Sequence, residues 1–236
     1  KKPFGPYSYA VVAHNGKCAD RLIRTSNVKT QAHSILKCKF VASGSNNTVK
    51  YLELKSLFVV IVEINYDNDS MFTGCFIDNN NTLSWICNNT RKYNRVQSST
   101  QVWTLISTAK YASKNKCPQE NIPEKVKRKV ASDMCQSFFS ILQGYLRKDV
   151  VATKDGDNEN YNNNVHKQVE KIELLRKDRH VMHVQLWGAA LPCNTMNHGH
   201  FLNDNKNQIG VIGDWFVKPS IEGSILSGLA LADALA

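Results

Sequence analysis

The stretch Ile209–Leu235, IGVIGDWFVKPSIEGSILSGLALADAL, decides how the rest of the chain is read. Ile209 to Ile212 are apolar or glycine and predict a short buried strand that ends at Gly213 and Asp214. A loop with Pro219 follows, and Ser220 is placed to cap a helix carried by Ile221 to Ala234. First-turn amides beside a carboxylate suit a polar ligand that carries hydroxyl groups. The same spacing also describes an ordinary strand–helix connection in which Asp214 only forms a turn.

The chain has 236 residues, enough to bury a real core, and its 42% hydrophobic content fits a globular fold. No apolar run approaches the roughly 20 residues needed to cross a bilayer. The longest, Leu57 to Val62, suits a buried strand, and the basic start KKPFGPYSYAVVAHNG lacks the apolar stretch of a secretory signal. A net charge of +10 is compatible with nucleic acid, an anionic membrane or an anionic ligand. However, the densest basic run, Glu124 to Val130, falls on an amphipathic helix. Val126, Val130, Met134, Phe138, Ile141 and Tyr145 make one apolar stripe there, which leaves the lysines mainly on the solvated faces. No nucleic-acid-binding motif accompanies the charge, so neither a nucleic-acid nor a membrane partner is expected.

The seven cysteines form no CxxC pair, which argues against a zinc site, and their scattered spacing does not resemble a small disulfide framework. N-x-[ST] triplets begin at Asn46, Asn68, Asn80 and Asn88, but an Asn-rich chain makes such triplets by chance. A reduced intracellular compartment, cytoplasmic or organellar, is the expectation. His198, His200 and Cys193 have no fixed third ligand, so no metal is expected.

Along the chain, Tyr7 to Ala13 predicts a strand followed by a turn-rich HNGKCAD segment. Leu52 to Ile64, MFTGCFI, TLSWIC and QVWTLIST read as successive strands of an antiparallel meander. A helix from Pro123 to about Leu146 closes this block. Thr153 to Asn164 is poor in apolar residues and reads as a disordered insertion, with a short helix over VHKQVEKIELLRK. HVMHVQLWGAAL is a further strand leading back to the opening stretch. The bracketing predicts a discontinuous architecture in which the two chain ends share one sheet and the middle is a second lobe.

GDW, EG and the small residues after them, together with VVAHNGKCADRL, LSWICNNTRK, WTLISTAKYASKNKCPQENIP and VQLWGAALPCNT, carry a resemblance. The chain resembles the FAD-dependent amine oxidase superfamily, most closely its renalase-like branch, over nearly all of its length outside the Asn-rich insertion. The resemblance implies an α/β (α+β) fold: a partial Rossmann-like FAD/NAD(P)-binding domain interleaved with an antiparallel-sheet substrate domain. It divides the chain into a returning strand of the FAD domain at 1–23, a substrate domain at 24–185 with the insertion near 153–166, and a C-terminal FAD-binding segment at 186–236. The family's Gly-x-Gly-x-x-Gly turn is not among these residues, so the sequence reads as the C-terminal portion of a longer flavoprotein, the dinucleotide-binding part lying before it.

The resemblance implies FAD as cofactor and a small-molecule substrate. The expected reaction is hydride transfer from an amine or reduced nicotinamide-type donor to flavin, with dioxygen as acceptor. It assigns Gly213 to a close approach to the flavin chain and Asp214 to its hydroxyls. Trp215 follows in the same segment, and Ser220, Ile221, Glu222 and Gly223 form a helix start at the pyrimidine edge. Trp187 lines the cofactor or substrate pocket, with plain core packing equally open. Asn88 to Thr90 form a turn or a polar strand end facing the central cleft. His14 is read as a solvent-exposed turn residue, with a place near the adenosine as the alternative. The sequence names no catalytic acid or base. Two rivals remain: a non-catalytic binding or scaffold domain that lost its dinucleotide-binding half, and a basic nucleic-acid-associated protein.

Overall fold

The first and last strands of the chain lie side by side. In a computed structural model that describes residues 5–41, 51–65, 72–93, 100–152, 170, 172–196 and 198–236, β1 (Ala10–Val12) pairs in parallel with β9 (Ile209–Val211). β8 (Leu202–Asp204) joins β9 antiparallel, giving a three-stranded mixed sheet in the order β1-β9-β8. β1 is shorter than the Tyr7 to Ala13 strand expected from its apolar run.

The segment read as turns after β1 is instead helix α1 (Gly16–Thr25). Asn15 caps it by accepting from the Cys18 amide, and Ala19 and Ile23 are buried one turn apart. The Asn-Gly pair suggested a turn; the cap and the buried stripe make it a helix start. A one-turn helix α2 (Ala32–Ile35) and strand β2 (Cys38–Phe40) follow.

β3 (Leu52–Ile64) covers the span expected of it. It pairs antiparallel with β6 (Gln101–Ser107), which continues to β5 (Leu83–Asn88) and β4 (Gly74–Phe76), while β2 pairs in parallel with its first residues. The four strands of the expected meander therefore stand in the order β3-β6-β5-β4. β3 is buried at Phe58, Val60, Val62 and Ile64 and has neighbours on both edges, whereas β4 is short and exposes Phe76. Full burial favours a central place for β3, so the meander is confined to β4, β5 and β6.

Two short helices, α3 (Asn89–Lys92) and α4 (Ala109–Lys114), precede the long α5 (Glu124–Ala152). The expected apolar stripe of α5 buries Val130, Met134 and Phe138 among Phe58, Trp103 and Leu105. Residues 172–177 form a helix, α6, ahead of β7 (His180–Pro192), which pairs with β3. The Asn-rich segment at Thr153 to Asn164 lies outside the described residues, as do Asn46 and Asn68. α7 (Asp214–Val217) and α8 (Ile221–Leu235) complete the chain.

The chain is thus mixed α/β with mixed sheets. It divides into two units, Lys1–Ser56 with Gly188–Ala236, and Leu57–Trp187. The divisions fall within β3 and β7, where the sequence reading had placed them at 23/24 and 185/186. Each unit has its own apolar cluster: one around Phe58, Trp103 and Phe138, the other around Leu52, Val211 and Trp215. No described helix is long and apolar enough to cross a membrane.

Candidate functional site

Because β1 and β9 are parallel, their carboxyl ends open on the same edge of the sheet, and each runs into a helix start. Parallel α/β sheets bind ligands outside such ends, where helix amides converge and no side chain need fill the gap. The two loops are tied together by the indole Nε1 of Trp215, which donates to the carbonyl of His14 at 3.3 Å. His14 itself is exposed, as its turn reading expected.

Asp214 opens α7 at this edge and is half-buried. Burial pushes its carboxyl above the ordinary range, against the opposing pull of the backbone amides of Trp215 and Asp214 itself. A carboxylate in that state gains from a hydroxyl donor, because a hydrogen bond to its charged form offsets the lost hydration.

α7 packs against α8, whose start is formed as the sequence predicts. The Ser220 hydroxyl accepts from the Gly223 amide at 3.0 Å, and the Ser220 carbonyl accepts from Ser224. Within the described residues the amides of Ile221 and Glu222 have no acceptor, as expected for the first turn of a helix. Glu222 is held in an ion pair with Lys218, which draws its charge toward the loop. Gly223 is required by packing: a Cβ there would lie 2.0 Å from the Lys218 carbonyl oxygen.

Two assignments change, and one alternative falls away. Gly213 does make a close approach possible, but to the protein's own Trp215: a Cβ would sit 2.3 Å from the indole nitrogen. Its amide donates to the Ser227 hydroxyl at 3.0 Å, and that hydroxyl donates to the His200 carbonyl at 2.6 Å. Trp215 is fully buried and stacked on Phe216 at 4.1 Å, so its side chain belongs to the core. Trp187 is 55% exposed on β7, which removes the core-packing alternative.

Away from this edge, Asn88 is neither a simple turn nor a sugar acceptor. It is wholly buried, caps α3 through the Arg91 amide and donates to Gln101 at 2.9 Å. All seven cysteines are free, and among the described residues no cluster of His, Cys, Asp and Glu is arranged to hold a metal ion. Sequence reading missed the second helix start, at Asn15 and Gly16. The signal was available as an Asn cap ahead of Cys18, Ala19 and Leu22, but the Asn-Gly pair masked it.

No protein-family model matches the chain, and no curated protein matches it either.

Proposed function

We propose that the chain is part of a FAD-dependent oxidoreductase resembling the renalase-like branch of the amine oxidase superfamily, its 1–56 and 188–236 unit providing a Rossmann-like portion. The observation that carries this reading is the parallel pairing of β1 with β9, which brings the starts of α1 and α7 to one sheet edge. The residues fit a cofactor of this kind in part. The Asp214 carboxylate suits a ribityl or ribose hydroxyl, and the open amides of Ile221 and Glu222 suit a carbonyl or developing negative charge. The Gly213 amide and the Trp215 ring are left out of the site, because both are satisfied inside the protein.

When bound, FAD supplies the hydride-accepting ring, the donor being an amine or a reduced nicotinamide-type compound and dioxygen the reoxidant. This chain's residues would hold the cofactor's polar groups and exclude water behind them, with the buried Phe216 and Val211 in the core beneath. Gly-x-Gly-x-x-Gly is not among these residues, so the test uses the full-length gene product. FAD titrated into that protein should be retained, and Asp214→Ala should weaken retention roughly tenfold through the lost charged hydrogen bond. Unchanged affinity in the variant removes Asp214 from the site; failure of the full-length protein to take up FAD overturns the reading. The Gly213 amide, satisfied by Ser227 and so withdrawn from any cofactor, favours a second reading, a non-catalytic binding or scaffold domain that lost its dinucleotide-binding half, which predicts no FAD uptake by the full-length protein.

A further inference from the structure

The Leu57–Trp187 unit carries a groove that the flavoenzyme reading does not use. A cavity of about 640 Å³ lies between the loop at Gln119 to Ile122, the first turns of α5 and strand β7. It touches five consecutive residues of β7, Val181 to Gln185. Side chains of a strand alternate between faces, so a cavity that meets five in a row runs along the strand's backbone edge. Among the described residues β7 is paired with β3 alone, which leaves that edge with no strand partner.

An unpaired edge is usually protected by lysine, proline or a very short strand. β7 is 13 residues long, and VMHVQL, Val181 to Leu186, has neither proline nor a lysine, arginine, aspartate or glutamate. Met182 is 51% exposed in it. Such an edge is a template for a further strand, whose main chain would hydrogen-bond to it and whose alternate side chains would meet the wall of the groove.

The wall is basic. Arg128 and Arg179 line the cavity, and within the described residues neither makes an ion pair. Lys127 is neutralised by Glu124 at 2.7 Å, which leaves Glu120 as the remaining carboxylate of the lining. A second, smaller cavity of about 250 Å³ shares Ser132 and Arg179 and adds Arg176, which is itself paired with Glu173 at 3.2 Å. We propose that this groove binds an extended acidic peptide segment by strand addition to the open edge of β7, the peptide's carboxylates facing Arg128 and Arg179. The proposal is independent of any cofactor at the β1–β9 edge.

The probe is a fluorescein-labelled peptide alternating glutamate and valine, titrated into the purified full-length protein and read by fluorescence anisotropy. Saturable binding is expected, weakening with salt because the contacts are partly ionic. Arg128→Glu, on an exposed helical position, should weaken it by about tenfold or more with an unchanged circular dichroism spectrum. The same peptide with alternate amides N-methylated keeps its charge but loses its edge donors, and should also bind about tenfold more weakly. Equal binding of the N-methylated peptide overturns strand addition, and equal binding of a lysine–valine peptide overturns the acidic preference. Displacement by free glutamate or inorganic phosphate at concentrations matching the peptide's shows a small-anion site and overturns the proposal. So does self-association of the chain that excludes the peptide.

Discussion

The two units of this protein are held together by different means. In Leu57–Trp187, β6 and the 29-residue α5 bring rings together: Trp103 lies 5.0 Å from Phe138 and 5.6 Å from Phe72, and Phe138 lies 5.3 Å from Phe139. In the unit made of Lys1–Ser56 and Gly188–Ala236, β1, β2, β8 and β9 have three residues each. Strands that short bury little area. Long-range polar links add to the buried cluster around Leu52, Val211 and Trp215: Tyr9 to Asn203, Asn207 to the Lys29 carbonyl, Trp215 to the His14 carbonyl, and Ser227 between Gly213 and His200. The first unit relies on packed rings, and the second adds polar links and close backbone fit to a smaller apolar cluster. The difference matters for function, since edges with open amides survive only where packing does not fill them.

The largest test removes area. Trp103→Ala should cost about 3–5 kcal/mol, because a fully buried indole leaves a cavity among Phe72, Phe138 and the sheet. Hydrogen exchange should register the loss in β5, β6 and α5, with α8 amides little changed; equal deprotection of α8 would show that the two units are not separately held.

The next test removes fit. Gly223→Ala adds one methyl against the Lys218 carbonyl and should destabilise by about 1–3 kcal/mol, since backbone cannot step aside as a side-chain end can. Chemical denaturation measures it, and a neutral result would mean that the loop at Lys218 gives way freely. Ser220→Ala removes only the cap of α8 and should cost about 1 kcal/mol, most visibly as fraying of its first turn by hydrogen exchange.

The smallest effects are electrostatic and opposite in sign. Burial raises the folded-state pKa of Asp214, so its ionised form destabilises the fold at neutral pH, and the penalty disappears as pH falls through the raised value. Asp214→Asn should therefore stabilise slightly at neutral pH, with the gain shrinking in acid. Hydrogen bonds from Thr30 and Asn207 lower the pKa of Asp204, so its contribution is present above the ordinary carboxylate range and is lost as pH falls through the lowered value. Asp204→Asn should destabilise at neutral pH, and the deficit should close in acid. Thermal melts of the two variants across that range should diverge at neutral pH and approach the parent in acid.

Much of the first unit of this comparison was legible in advance. Val130, Met134 and Phe138 repeat at helical spacing on α5, and the run from Leu57 to Val62 is apolar without interruption; both lie in elements where the pattern puts them. The neighbour of β3 was not legible, because alternation along a strand carries no record of its partner. In the second unit, the Ser220 cap and the pairing of the chain ends followed from local pattern and bracketing. The fates of Gly213 and Trp215 did not. A glycine before a tryptophan reads alike whether the space it leaves admits a ligand or the indole itself.

By itself, then, the sequence determined the elements whose residues repeat at a fixed period, the cap that starts α8, and the joining of the first strand to the last. Tertiary structure alone decided that β3 stands beside β6, that Trp215 turns inward on the His14 carbonyl, that Trp187 faces outward, and that β7 has β3 as its one strand neighbour among the described residues, with two arginines beside its other edge. The reason is physical: periodicity and capping are interactions between near neighbours in the chain, whereas burial and edge pairing depend on which distant segment arrives to cover a surface.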